Sequence, residues 1–142
     1  MSKIAVVYWS GTGNTEIMAQ EVAAGAKAAG AEADVLTPSD FDSSKISAYD
    51  AIAFGCPAMG AEVLEEAEFE PMWNECEGSL SGVKIALFGS YGWGDGEWMR
   101  TWEESAGNAG AILACDSVMA NEEPDFQNAV DFFRCHRLFV ER

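Results

Sequence analysis

Lysine and arginine are scarce: eight among 142 residues, against 24 aspartates and glutamates, for a formal net charge of −16 at pH 7. A surface of that sign repels phosphate backbones and anionic lipid heads, which argues against direct binding to nucleic acid or to a membrane. Long apolar runs are missing as well. No stretch approaches the ~18 consecutive apolar residues of a membrane helix, and Met1-Ser2-Lys3 leads into a short β-like run rather than a signal peptide, so a cytoplasmic location is expected. His136 is the single histidine, and the four cysteines, Cys56, Cys76, Cys115 and Cys135, form no C-x-x-C pair. A His-based metal site, structural zinc and an iron–sulfur cluster are therefore poor expectations, and so are disulfides in a cytosolic chain. The thiols read as small core or semi-buried residues. Internal repeats, low-complexity tracts and linkers are also lacking.

Core material, by contrast, is plentiful. Hydrophobic residues make up 49% and charged residues 23%, a balance that packs rather than staying disordered. The length suits one domain over residues 1–142. The acids must then sit on the surface of a packed core. Seven glutamates and no lysine or arginine fall between Glu62 and Glu77, which reads as a solvated helix face. Three of the eight bases, Arg134, Arg137 and Arg142, fall in the last nine positions, so residues 1–133 hold 23 acids against 5 bases, a net −18.

Residues 3–9, Lys-Ile-Ala-Val-Val-Tyr-Trp, form a nearly continuous apolar run that suits a strand buried on both faces. A helix over about 13–29 follows, with Met18, Val22, Ala26 and Ala29 at helical spacing and Gly30 as its stop. Strands are expected near 31–36, 51–55, 83–89 and 111–115, and helices near 64–77, 97–108 and 125–137. Alternating apolar strands and helices predict an α/β protein, a three-layer α/β/α sandwich around a parallel sheet. Such sheets bind ligands outside the carboxyl ends of their strands, so the loops at 10–15, 56–62 and 90–98 are where chemistry is expected.

The first loop reads Ser10-Gly11-Thr12-Gly13-Asn14-Thr15 between a strand and a helix. Hydroxyls, an amide and two glycines at a helix N-terminus make a nest of donors that fits a phosphate. The loop has no lysine, the triphosphate pattern G-x-x-x-x-G-K-[ST] is absent, and Glu16 stands where G-x-G-x-x-G needs its third glycine. A monophosphate is the better match. The second loop, Cys56-Pro57-Ala58-Met59-Gly60-Ala61-Glu62, places a flat-packing methionine beside a glycine. The third, Ser90-Tyr91-Gly92-Trp93-Gly94-Asp95-Gly96, sets aromatics between glycines. Met59 and Trp93 suit the two faces of a planar conjugated ring.

A planar ring with one phosphate describes flavin mononucleotide, and on these motifs the chain resembles flavodoxins of the short-chain type found in anaerobic bacteria. The resemblance runs over about residues 3–131, most clearly at 6–16, 58–60, from 62, and at 89–96. It implies a five-stranded parallel sheet of order 2-1-3-4-5. It also implies non-covalent FMN cycled between semiquinone and hydroquinone, carrying single electrons at low potential for redox partner proteins, with no substrate of the chain's own. It puts Ser10, Thr12, Asn14 and Thr15 on the phosphate with backbone donors including Gly13, and Met59 and Trp93 on the ring faces. Glu62 would accept from the ring N3–H, and Gly60 would offer a carbonyl to N5. Ala58, Ser90, Gly92 and Gly94 complete the expected binding set. The net charge suits partners with basic patches, and a monomer is expected.

Pro57 departs from the family pattern, where a hydroxyl residue is frequent, and Ala61 replaces a frequent acid. Asn121 lies in a segment one residue longer before Pro124 than expected, so no ribityl contact is assigned to it. The tail from Phe132 to Arg137 is the least family-like part. Two flavoprotein readings on the same fold stay open: a flavin or quinone reductase, and a ribonucleotide-reductase-activating flavoprotein. A receiver domain would need clustered aspartates after the first strand, where Trp9-Ser10 stand instead.

Overall fold

The computed structural model describes residues 3–11, 13–28, 30–59, 63–92, 96–113 and 117–121. In chain order the elements are β1 (Lys3–Tyr8), α1 (Asn14–Ala28), β2 (Glu32–Leu36), two short 3-10 helices (Pro38–Asp40 and Ser43–Ala48), β3 (Ala51–Gly55), α2 (Phe69–Glu77), β4 (Lys84–Tyr91), α3 (Glu97–Asn108), β5 (Ile112–Leu113) and β6 (Val118–Asn121). The strand order is β2-β1-β3-β4-β5, and every ladder is parallel.

Side chains alternate across the sheet because a strand turns its residues to opposite faces with a period of two. Ile4 and Val6 of β1, Ala51 and Ala53 of β3, and Ala86 and Phe88 of β4 pack with Met18, Ala19, Val22, Ala23 and Ala26 of α1. Ala5 and Val7, Ile52 and Phe54, and Ile85 and Leu87 face the other way, toward Phe69, Met72, Trp73 and Cys76 of α2 and Trp98, Met99, Trp102 and Ala106 of α3. With helices on both faces the molecule has the three expected layers, and the apolar strand runs are explained by burial on two sides. Among the described residues the α2–α3 face is the heavier one. Trp73 meets Phe54 and Trp102 edge-on, at centroid distances of 5.1 and 5.7 Å, and each fully buried large side chain contributes about 1.5–3 kcal/mol.

Two elements differ from their expected spans. The helix expected from residue 64 begins at Phe69. Met59 and Val63 form an antiparallel bridge, with Met59 N–H donating to Val63 O at 2.9 Å and Val63 N–H to Met59 O at 3.2 Å. The Glu65 carboxylate then accepts the N–H groups of Ala67, Glu68 and Phe69, each at 2.8 Å. Hydrogen bonds of this kind start a helix by satisfying its orphan donors. The strand expected near 111–115 is seen at Ile112–Leu113, and Ala114 and Cys115 lie outside the described residues. Lys84 pairs with Ile112 but Phe88 pairs with Val118, so the outer chain spends six residues where β4 spends four, and β5 and β6 share the edge position. The helix expected over 125–137 lies outside the described residues, as do Cys115 and Cys135.

Candidate functional site

The direction in which the chain is laid down reverses at β1: β2 lies on one side and β3 on the other. The crevice at such a switch point, outside the carboxyl ends of the strands, is the binding position of doubly wound sheets. Backbone bonds continue past the strand ends and shape it. Trp9 N–H donates to Gly55 O at 3.0 Å, Cys56 N–H to Phe88 O at 3.1 Å, and Ala58 N–H to Ser90 O at 3.0 Å. The three loops are thereby held against one another. Gly89 permits this approach, since a Cβ there would stand 2.1 Å from the Cys56 carbonyl oxygen.

The first loop is built around Ser10. Its Oγ accepts the N–H of Gly13 at 3.1 Å and of Glu16 at 3.2 Å. Both lone pairs are then engaged, and its own proton remains to be donated. Gly13 sits at φ +102°, a region open to glycine at no steric cost. The N–H groups of Asn14 and Thr15 fall in the first turn of α1, where no intrahelical carbonyl is available to them. Thr15 is buried, and its Oγ1 lies 2.9 Å from Ser90 Oγ at the end of β4. Tyr8 donates to Glu16 Oε2 at 3.1 Å. Burial, that bond and the Glu16 charge all raise the Tyr8 pKa, so the phenol keeps its proton. Beside the loop opens a cleft of about 480 Å³, walled by Tyr8, Trp9, Thr37, Pro38 and Glu68.

The second loop is anchored from below. Cys56 is fully buried; its carbonyl accepts the Trp98 indole N–H at 3.1 Å, and its Sγ accepts Glu65 N–H at 3.4 Å. Burial pushes the Cys56 thiol up to about 12, which makes it a packing group rather than a nucleophile. Glu65 is only 7% exposed, a departure from the solvated face expected for the 62–77 acids. Burial raises its pKa, but the bonds from Phe69, Glu68 and Ala67 more than offset that and hold it below the ordinary 4.5. Met59 and Val63 are paired antiparallel, which fixes the two ends of this loop against each other.

Of the expected binding set, Ser10, Gly13, Asn14 and Thr15 come together at the head of α1, Ala58 and Met59 follow β3, and Ser90 and Gly92 stand at the end of β4. Ala58 and Met59 are half-buried and Gly92 is exposed. Thr12, Gly60, Glu62, Trp93 and Gly94 lie outside the described residues. The β4–β6 register sets Asn121 opposite Tyr91, at the same end of the sheet. Sequence reasoning did not find the supporting residues Glu65, Trp98 and Cys56. The only local signal for Glu65 was submerged in a run of seven glutamates. Among the described residues no three His, Cys, Asp or Glu side chains group as a metal site, and no helix is long and apolar enough to cross a membrane.

Fold and site together define a doubly wound α/β protein with a hydroxyl- and glycine-rich loop at its switch point and a cleft beside it. The flavodoxin family model matches residues 6–133. The chain is 45% identical over 129 residues to the flavodoxin of Clostridium beijerinckii, covering 89% of this chain and 94% of that one. It is 45% identical over 122 residues to the flavodoxin of Megasphaera elsdenii, covering 86% and 88%. The solution structure of the two-electron reduced Megasphaera elsdenii flavodoxin superposes with a TM-score of 0.88 at 41% identity, over 98% of this chain and 99% of that one. The chain belongs to the flavodoxin family, FMN-binding electron carriers that serve redox partner proteins. Flavodoxin is itself the type example of ligand binding at the β1/β3 switch point.

Proposed function

We propose that the chain is a low-potential one-electron carrier that holds one FMN without a covalent bond and has no substrate of its own. The observation that carries this reading is the Ser10 hydroxyl, whose two accepted N–H bonds commit its proton to donation at the head of α1. That donor set fits a phosphate monoester: Ser10 O–H and the first-turn N–H groups of Asn14 and Thr15 converge without a lysine or a metal ligand, as one phosphate needs and a triphosphate does not.

In this reading Ser10, Thr12, Gly13, Asn14 and Thr15 bind the phosphate. Met59 and Trp93 cover the two ring faces, Glu62 and Gly60 bond the ring edge, Ala58, Gly92 and Gly94 line the crevice, and Ser90 stands behind Thr15. Bound FMN supplies one-electron redox chemistry. The chain's own part is to clamp and orient the ring, to exclude water from its faces, and to surround it with negative charge that disfavours a further negative charge on it. Met59 and Val63 exchange two backbone hydrogen bonds, which fixes the described ends of the second loop. Partners are redox proteins with basic patches, drawn by the −16 charge. A single-domain monomer in the cytoplasm completes the reading, and the free buried thiols of Cys56 and Cys76 suit a reducing compartment.

The test is a fluorescence titration of apoprotein with FMN. Stoichiometric 1:1 uptake with quenching of flavin emission is expected, together with a midpoint potential below that of free FMN. A protein that takes up no flavin, or one that oxidises NADH or NADPH rapidly by itself, overturns the reading.

A further inference from the structure

Ser90 belongs to β4 and Thr15 to α1, 75 positions apart in sequence, yet their hydroxyl oxygens lie 2.9 Å apart in the interior. Thr15 is 1% exposed and Ser90 5%. Among the described residues each hydroxyl is the other's only side-chain partner. Two hydroxyls bring two protons, and only one can lie between them. Were Thr15 the donor, the leftover proton would be that of Ser90, buried beside β4 with no described acceptor, an arrangement that costs about 1–3 kcal/mol. With Ser90 as donor, the leftover proton is that of Thr15, in the first turn of α1 among the donors of the anion nest. An acceptor in the nest therefore selects the second direction. The Ser90 carbonyl also accepts Ala58 N–H at 3.0 Å, so one residue ties the first loop, the second loop and the start of the third.

We infer that Ser90 is a positioning residue for the phosphate subsite, acting through Thr15 rather than touching the flavin. Its hydroxyl donates to Thr15 Oγ1 and thereby commits the Thr15 proton to the phosphate. This rests on the reading of the first loop as the phosphate site, and it differs from a crevice-lining role in a checkable way. A group that acts only on the phosphate affects FMN binding and leaves riboflavin, which has the same ring and no phosphate, unaffected.

The experiment is a double-mutant cycle on apoprotein, with Thr15→Val, Ser90→Ala and both together, each titrated with FMN and with riboflavin. Thr15→Val removes a hydrogen bond to a charged group and is expected to weaken FMN about ten- to a hundredfold. Ser90→Ala removes only the polarising and orienting bond, a fraction of that energy, and is expected to weaken FMN about two- to fivefold. It leaves riboflavin unchanged, and in the Thr15→Val background it has no further effect on FMN. Should Ser90→Ala not fold, Ser90→Cys, of similar size and a poor donor, carries the same comparison. Equal losses of FMN and riboflavin, or a Ser90 effect that adds fully to that of Thr15→Val, overturn the inference. Failure of the wild-type apoprotein to bind FMN at all would instead remove the reading on which it rests.

Discussion

In the proposed reading, Ser10 serves the apoprotein and the ligand with the same atom. Its Oγ satisfies two orphan N–H groups, at Gly13 and Glu16, and its proton is left for the anion. Ser10→Ala should therefore act twice. Loss of a cap of this kind costs about 1 kcal/mol, readable as a lower urea midpoint of the apoprotein. Loss of a donor to a charged group weakens FMN about ten- to a hundredfold, readable by fluorescence titration. An unchanged apoprotein midpoint would remove the capping role, whatever happens to FMN. The loop's place between a buried strand and a helix was legible from sequence, because an apolar run, two glycines and a helical repeat follow one another there. The division of labour was not legible. That Thr15 turns to Ser90 depends on where β4 runs, and nothing within residues 10–15 encodes that.

At the scale of elements, α2 shows how a tertiary hydrogen-bond set overrides a local pattern. Residues 64–77 read as one acidic helix, but Glu65 lies in the interior and uses its carboxylate to accept the N–H groups of Ala67, Glu68 and Phe69. Its pKa lies below the ordinary 4.5 because those bonds exceed the opposing effect of burial. A carboxylate depressed on folding contributes stability that is complete above its unfolded pKa and is lost as pH falls through its lower folded value. Glu65→Gln should thus destabilise the protein at pH 7 by about 1.5–3 kcal/mol. It should also flatten the decline in stability on acidification below about pH 4.5, as followed by urea midpoints across pH. An acid limb identical to that of the wild type would show that Glu65 is not a source of the acid sensitivity. The edge strand makes the same point differently. Ala-Ile-Leu-Ala-Cys at 111–115 has a strand-like pattern, whereas among the described residues the ladder holds Ile112–Leu113 and takes up again at Val118, two residues out of step. Pairing with β4, rather than local propensity, sets where an edge strand is continuous.

For the whole molecule, the charge of −16 is the dominant long-range fact. Like charges repel in the compact state, and salt screens them: the Debye length falls from about 30 Å at 0.01 M to about 8 Å at 0.15 M. The thermal midpoint should rise over that range, while association rates with a basic redox partner should fall. A midpoint that falls with salt, or rates indifferent to it, would assign the acids to local pairs instead of a collective field. The amino-acid sequence by itself determined the α/β class, the sites of the main strands and of α1 and α3, the hydroxyl- and glycine-rich loop between β1 and α1, and the sign of the surface. Each of these follows from periodicity, composition or contiguous residue types. Only the tertiary structure decided that Glu65 is an interior cap, that Ser90 meets Thr15, that Trp98 holds the Cys56 carbonyl, and that the edge pairing along β4 shifts register by two residues. Those contacts join residues far apart in the chain or reverse the apparent exposure of a charged one, and such pairings exist only once the strand order has brought the loop ends to one side of the sheet.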